Sequence, residues 1–261
     1  LTFLISLINM IFLDISSRIF SFNGMFVALE PLLPIFSSFM FQGMGIFLIS
    51  RVWVKKDYYL EKYGEKAYQK SILYILTGIP MFVSSMLHGF IPFNSPWFPS
   101  PNNPLTIVLG TPILDYIFAQ ILFLDFLRLL FGVAILILGL ATAIRSLFIF
   151  GFDYMALIYL YYPEKSRVVN NKIYSVIRHP AYHGLILVSI SSILFRFSIY
   201  SILICLLFII GMNFHIKFIE EKELIDRFEE SYREYMKTTP ALFFHPKHLK
   251  DYFVFLMGIK N

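Results

Sequence analysis

Charge is scarce in this chain. Asp, Glu, Lys and Arg make up 15% of its 261 residues, where soluble domains carry about 25%. Cysteine is scarcer still. Cys205 stands alone, so no disulfide can form within the chain and a disulfide-stapled secreted fold is excluded. No strand-like alternation and no convincing internal repeat is visible. No basic cluster is long enough to neutralise a phosphate track, so nucleic-acid binding is not expected. The first residues carry neither the basic stretch nor the small-residue cleavage site of a signal peptide. What the chain has instead is apolar surface: 57% of its residues are hydrophobic and 18% aromatic, with 30 Phe and 16 Tyr. One water-facing globule cannot hide that much, and disordered or fibrous chains do not have it. The expected fold is all-α, a polytopic transmembrane helical bundle. The net charge of +5 then reads as basic loops facing the cytoplasm and anionic headgroups.

A helix needs roughly 20 mostly apolar residues to cross a bilayer. Leu1–Phe20, Met25–Trp53, Ser71–Phe93, Ala119–Ile144 and Ile199–Ile219 meet or approach that length. Ala181–Phe195 is shorter, and Arg196-Phe197-Ser198 separates it from the next run, which predicts a C-terminal helical hairpin. Lys55–Lys70 and Lys165–Arg178 are basic, as is the tail after Ile219, whereas Asn94–Pro104 carries no charge. The positive-inside rule therefore predicts about six crossings, with both termini cytoplasmic. Leu105–Phe118, broken by Gly110 and Pro112, is expected to be re-entrant or interfacial. Residues 1–118 read as N-terminal transmembrane helices that could shape access for a lipid, and 119–261 as the chemical core.

Charged groups at membrane depth are costly and so draw attention. Asp125 and Arg128 share a helix face and suit a structural ion pair. Glu30 is expected at the interface, and His88 as an interfacial or satisfied histidine. Five of the six histidines fall in the last third: His179, His183, His215, His245 and His248. His179 and His183 are four apart, a possible ligand spacing, but Pro180 between them marks a helix start instead. No metal is expected.

Two segments carry the chemistry. The first runs from Asn171 to Gly184 as NKIYSVIRHPAYHG. Pro180 can open a helix whose free N–H groups, joined by Arg178 and His179, would suit a carboxylate or phosphate; a plain interfacial anchor is the simpler alternative. The second, Glu220 to Tyr235, places Leu224, Phe228, Tyr232 and Tyr235 on one helix face, giving a cytoplasmic amphipathic helix. Glu220 lies one turn before Leu224 on that face. A carboxylate facing inward there needs a partner, and a ribose diol, an amine or a sulfonium would serve.

Together the two segments resemble the isoprenylcysteine carboxyl methyltransferase and phospholipid methyltransferase superfamily of integral membrane enzymes. Its Arg-His-Pro-x-Tyr-x-Gly motif is complete here as Arg178, His179, Pro180, Tyr182 and Gly184. After a helical hairpin, its second motif is matched by Glu220, Glu221, Leu224, Phe228, Tyr232 and Tyr235, with Pro240 following. The family glycine after the Phe is Glu229 here, and an Arg found in some members shortly before the Glu pair is replaced by His215 and Lys217. The resemblance covers roughly Leu138 to Pro246.

It implies S-adenosylmethionine as methyl donor, bound at the cytoplasmic end of the hairpin. Tyr174, His179, Tyr182 and Gly184 would line one side of that pocket and Glu220 and Glu221 the other, with Pro240, Leu242 and His245 closing it. Gly139 would stand close to the cofactor. The acceptor would be a lipid arriving from the bilayer. A prenylcysteine-type carboxylate is preferred on size and span count, with Arg178 orienting it and Glu220 as the second catalytic residue. A phospholipid amine, which needs a base, is the alternative. A nicotinamide-dependent sterol-type reductase and a non-catalytic binding or transport protein are the rivals from other classes. The former lacks its usual Asn, the position being Ala181, and the latter has only Asp125 and Arg128 in its favour.

Overall fold

A computed structural model describes residues 1–20, 24–117, 122–150, 161 and 168–258. The described chain is helical, with no strand among the described residues. Five of its helical stretches are long and apolar enough to cross a membrane: Thr2–Ile19, Gly24–Val54, Lys56–Phe90, Leu122–Ile149 and Ile199–Thr238. The sixth expected crossing is the 17-residue helix Pro180–Arg196, at the short end of what spans a bilayer at about 1.5 Å per residue. The expected start of a span at Ala119, the division at 118/119, the end of the segment Leu105–Phe118, and Lys165 to Arg167 of the basic loop lie outside the described residues.

Local chemistry sets the breaks. Asn103 caps the helix Pro104–Gly110 by accepting the Leu105 N–H at 2.9 Å, and Pro104 supplies the pre-set φ of a first turn. Pro112 then separates that helix from Leu114–Ile117. The hairpin turn is sharp: Phe197 adopts φ +47°, and its carbonyl accepts the Ile113 N–H at 2.7 Å. Ser198 and Ser201 exchange backbone-to-hydroxyl bonds of 3.1 and 3.3 Å that open the helix Ile199–His215.

The chain divides into two compact units, each assembled from three separated stretches. The first comprises Leu1–Ile49, Tyr74–Ile135 and Ser189–Gly211. Its helices meet on small residues: a Cβ on Gly45 would come within 2.8 Å of the Gly78 carbonyl oxygen. Contact this close lets dispersion forces act between backbones, which matters where lipid tails supply no hydrophobic drive for association. The unit also buries charge. Asp14 accepts from Ser37 Oγ at 2.5 Å and pairs with His88 Nε2, whose Nδ1 is 2.7 Å from Ser38 Oγ. Glu30 is fully buried within the protein; it accepts the Asn102 N–H at 3.1 Å and lies 3.8 Å from Arg18. Arg18 also donates to the carbonyls of Phe93 and Pro99 at 2.8 and 2.9 Å. Asp125 and Arg128 are ion-paired at 2.7 Å, and the guanidinium caps the hairpin's first helix through the Leu194 and Phe195 carbonyls.

The second unit comprises Ser50–Leu73, Leu136–Val188 and Met212–Asn261. Ile173, Tyr174, Val176, Ile177 and Tyr252 form a buried cluster there. The terminal helix Leu249–Met257 is held by the Tyr252 hydroxyl on Thr142 at 2.5 Å and by Arg145 on the Leu256 carbonyl. Gly258 ends that helix at φ +72°, the left-handed cap that glycine adopts without steric cost.

Candidate functional site

The two motif segments converge within the second unit. The segment before Pro180 and the tail after the amphipathic helix run side by side, with the Arg178 and His179 N–H groups donating to the Pro240 and Ala241 carbonyls at 2.9 and 3.0 Å. This pairing fixes the backbone from which both side chains reach the glutamates. Arg178 Nε and Nη2 donate to Glu221 Oε1 at 2.9 and 2.6 Å. Its Nη1 donates to the Met236 carbonyl at 3.3 Å and to that of Thr239. His179 Nε2 meets the same Glu221 oxygen at 3.2 Å, while its Nδ1 lies 3.6 Å from Glu220 Oε1. The result is an alternating ladder of Arg178, Glu221, His179 and Glu220.

Burial alone would lower the His179 imidazole, but the facing charges of Glu220 and Glu221 outweigh it and raise its pKa to about 9. It is therefore a cation at neutral pH. Glu221 is satisfied by three donors. Glu220 is not: the Tyr182 hydroxyl hydrogen-bonds the carboxylate, but its Oε2 is buried without a hydrogen-bond partner. A buried, unpartnered carboxylate oxygen is costly, and the cost is relieved by a cation or a donor from outside the chain. Tyr182 stacks on His179 with centroids 5.8 Å apart and meets His215 edge-on at 6.2 Å.

The other expected residues distribute unevenly. Tyr174 is buried behind the ladder; its carbonyl accepts from the Tyr235 hydroxyl, and burial, reinforced by Tyr235 and Glu220, pushes its own phenol well above the ordinary range. Pro240 contributes its carbonyl to Arg178, and Leu242 is buried beyond it. His245 is exposed at the turn Pro246–His248. Gly184 packs against a helix: a Cβ there would lie 2.5 Å from Ala143 N and 2.6 Å from the Gly139 carbonyl oxygen. Gly139 faces Gly184 in return, so helix packing accounts for the close approach expected of it toward a cofactor. Arg178, expected to orient an acceptor, is held within the chain. Four of its five N–H groups are already engaged within the chain.

Two features escape sequence pattern alone. Ile216–Glu220 forms a π turn, which shifts the register of the glutamate pair relative to the hairpin helix. Within the amphipathic helix, Glu229 stands at φ +46° and ψ −122° and breaks it. The family motif carries glycine at this position, and this backbone conformation is one that glycine adopts freely. The replacement by Glu was visible in the sequence; its conformational meaning was not.

Residues 127–231 match the model of the phospholipid methyltransferase family. No curated protein and no solved structure matches the chain.

Proposed function

We propose that the chain, whose residues 127–231 match the phospholipid methyltransferase family model, is an integral membrane methyltransferase that uses S-adenosylmethionine and acts on a lipidic acceptor at the cytoplasmic surface. The observation that carries this reading is Glu220: a half-buried carboxylate whose Oε2 is itself buried and unpartnered, next to a cationic His179 and the ring of Tyr182. This donor set fits a sulfonium nucleoside. The carboxylate answers the positive charge or the ribose hydroxyls, and the tyrosine offers a face for the adenosyl or methionyl portion. When bound, the sulfonium supplies an electrophilic methyl group; the chain's part is to hold the acceptor in line and exclude water. Leu242 and Pro240 would close the pocket from the tail.

For the acceptor, the engagement of Arg178 favours an amine over a prenylcysteine carboxylate. The guanidinium that would orient a carboxylate is held by Glu221 and two carbonyls, while the open charge at the site is negative. A phospholipid ammonium group is attracted by that charge, whereas a carboxylate is repelled by it.

The test has two parts. Isothermal titration of the solubilised protein with S-adenosylhomocysteine is expected to show binding that Glu220→Ala and His179→Ala each weaken by about 100-fold, or about 2.7 kcal/mol. Absence of binding, or binding indifferent to both variants, overturns the methyltransferase reading. Transfer of a radiolabelled methyl group to ethanolamine phospholipids but not to prenylated cysteine is expected; the opposite preference overturns the amine assignment.

A further inference from the structure

His215 belongs to neither motif, yet it stands at the ladder's open end. It is the last residue of the hairpin helix Ile199–His215, and its side chain is almost wholly buried at 4% exposure. Its Nδ1 has no hydrogen-bond partner. In a regular α-helix, residues five apart point to different faces. The π turn Ile216–Glu220 closes its hydrogen bonds five residues apart and so brings positions 215 and 220 toward one face. The titratable groups facing His215 are Glu220 on its own helical path and His179 and Tyr182 from the segment opening the hairpin; Arg178 and Glu221 stand behind them. A buried imidazole nitrogen with nothing to bind, beside the unpartnered Oε2 of Glu220, is a place for a proton to go.

We propose that His215, through Nδ1, is the base that takes the proton from an ammonium acceptor before methyl transfer. This rests on the reading above. The acceptor ammonium gives one proton to His215 and becomes a neutral amine. The nitrogen lone pair then forms the new N–C bond to the sulfonium methyl as the C–S bond breaks. The bonding pair passes to sulfur, leaving a neutral thioether and a methylated ammonium. Protonated His215 afterwards releases its proton to water. Glu220 steers the ammonium toward the imidazole and stabilises the imidazolium that results. The neighbouring Tyr182 ring fixes the imidazole plane, since an edge-on contact at 6.2 Å restricts its rotation.

The experiment is a pH profile of kcat/KM for methylation of an ethanolamine phospholipid in vesicles, run beside S-adenosylhomocysteine titrations. Wild type is expected to show activity rising with pH along one acidic limb to a plateau. His215→Gln is expected to lower the plateau by roughly 100-fold or more and to remove the limb, while S-adenosylhomocysteine affinity stays within about twofold. Glu220→Gln removes the negative charge that favours the imidazolium, so any remaining activity is expected to carry its limb at lower pH. This second variant keeps the test alive if His215→Gln does not fold. A limb that survives in His215→Gln, or one that stays in place in Glu220→Gln, overturns the assignment of the base. Loss of S-adenosylhomocysteine binding in His215→Gln also overturns it, since His215 would then belong to the cofactor pocket. Wild type that binds no S-adenosylhomocysteine sinks the methyltransferase reading itself, a different failure.

Discussion

Asp14, His88, Arg18 and Glu30 in the first unit, and Arg178, His179, Glu220 and Glu221 in the second, are built from the same ingredients: two carboxylates, one guanidinium and one imidazole. They are closed differently. In the first unit Asp14 is met on both oxygens, by Ser37 and His88, and Ser38 completes the other side of the imidazole. Glu30 has a backbone donor on one oxygen; its other oxygen makes no hydrogen bond and lies 3.8 Å from Arg18 Nε. In the second unit the ladder closes on Glu221 and stops at Glu220, whose Oε2 has no partner. Removing charge from water costs several kcal/mol per ion unless neighbours restore it. In the first set each charge faces a partner from another helix and so ties helices together, although Glu30 Oε1 and Arg18 Nε make no hydrogen bond. In the second, the unpartnered oxygen of Glu220 stands among the residues of the two motifs. Burial of charge, with one carboxylate oxygen left without a hydrogen bond, is thus common to both units; the motif residues around Glu220 are what distinguish the second.

Four experiments would break or sharpen this contrast. The largest effect is expected from Asp14→Ala, which strands His88, Ser37 and Ser38 in the first unit. It should cost about 3–5 kcal/mol of stability, read as a fall in thermal midpoint in detergent, with unchanged S-adenosylhomocysteine affinity for the folded fraction. Stability unmoved by this change would mean that the first network is not holding the helices.

Next is Glu220→Gln, whose expected loss is of ligand and not of fold. Affinity should drop by about 100-fold, or about 2.7 kcal/mol, while the thermal midpoint falls far less than for Asp14→Ala. A collapse of stability here would make Glu220 a structural partner like Asp14.

A third, intermediate effect concerns pH. The folded-state pKa of His179 is raised to about 9 from 6.5. A raised histidine stabilises the fold fully below the unfolded value and loses that contribution as pH climbs through the folded one. The thermal midpoint should therefore decline between pH 6.5 and about 9, and His179→Gln should flatten that decline. An equally steep decline in the variant would move the origin elsewhere.

The smallest effect is a gain. Glu229→Gly should stabilise the amphipathic helix by about 1 kcal/mol by relieving the positive φ, visible as a higher thermal midpoint. A loss of stability would show that the Glu side chain contributes more than its backbone costs.

Much of the organisation was legible beforehand. Apolar run length placed the helices, because a bilayer fixes how many consecutive apolar residues a crossing needs. Pro180 correctly marked a helix start, and Arg196-Phe197-Ser198 the hairpin turn. Glu220 stood out beforehand as a carboxylate on the inward face of the amphipathic helix. Other features were not legible. The burial of Glu30 was hidden, because its partners are set by where Arg18 and Asn102 fold. The chain partners of Arg178 were hidden too, because the carbonyls of Met236 and Thr239 carry no side-chain signature. His215 lay outside every helical pattern, because a π turn violates the 3.6-residue period on which such patterns rest.

The sequence by itself determined that this is a helical membrane protein with paired motifs at the ends of a hairpin, since hydropathy and motif spacing are local and additive along the chain. Only the tertiary structure decided which of two adjacent glutamates is spoken for and which is open. That choice depends on donors that arrive from Arg178, His179 and the tail. At the distances of hydrogen bonding, a shift of about 1 Å decides whether a charge is satisfied or free.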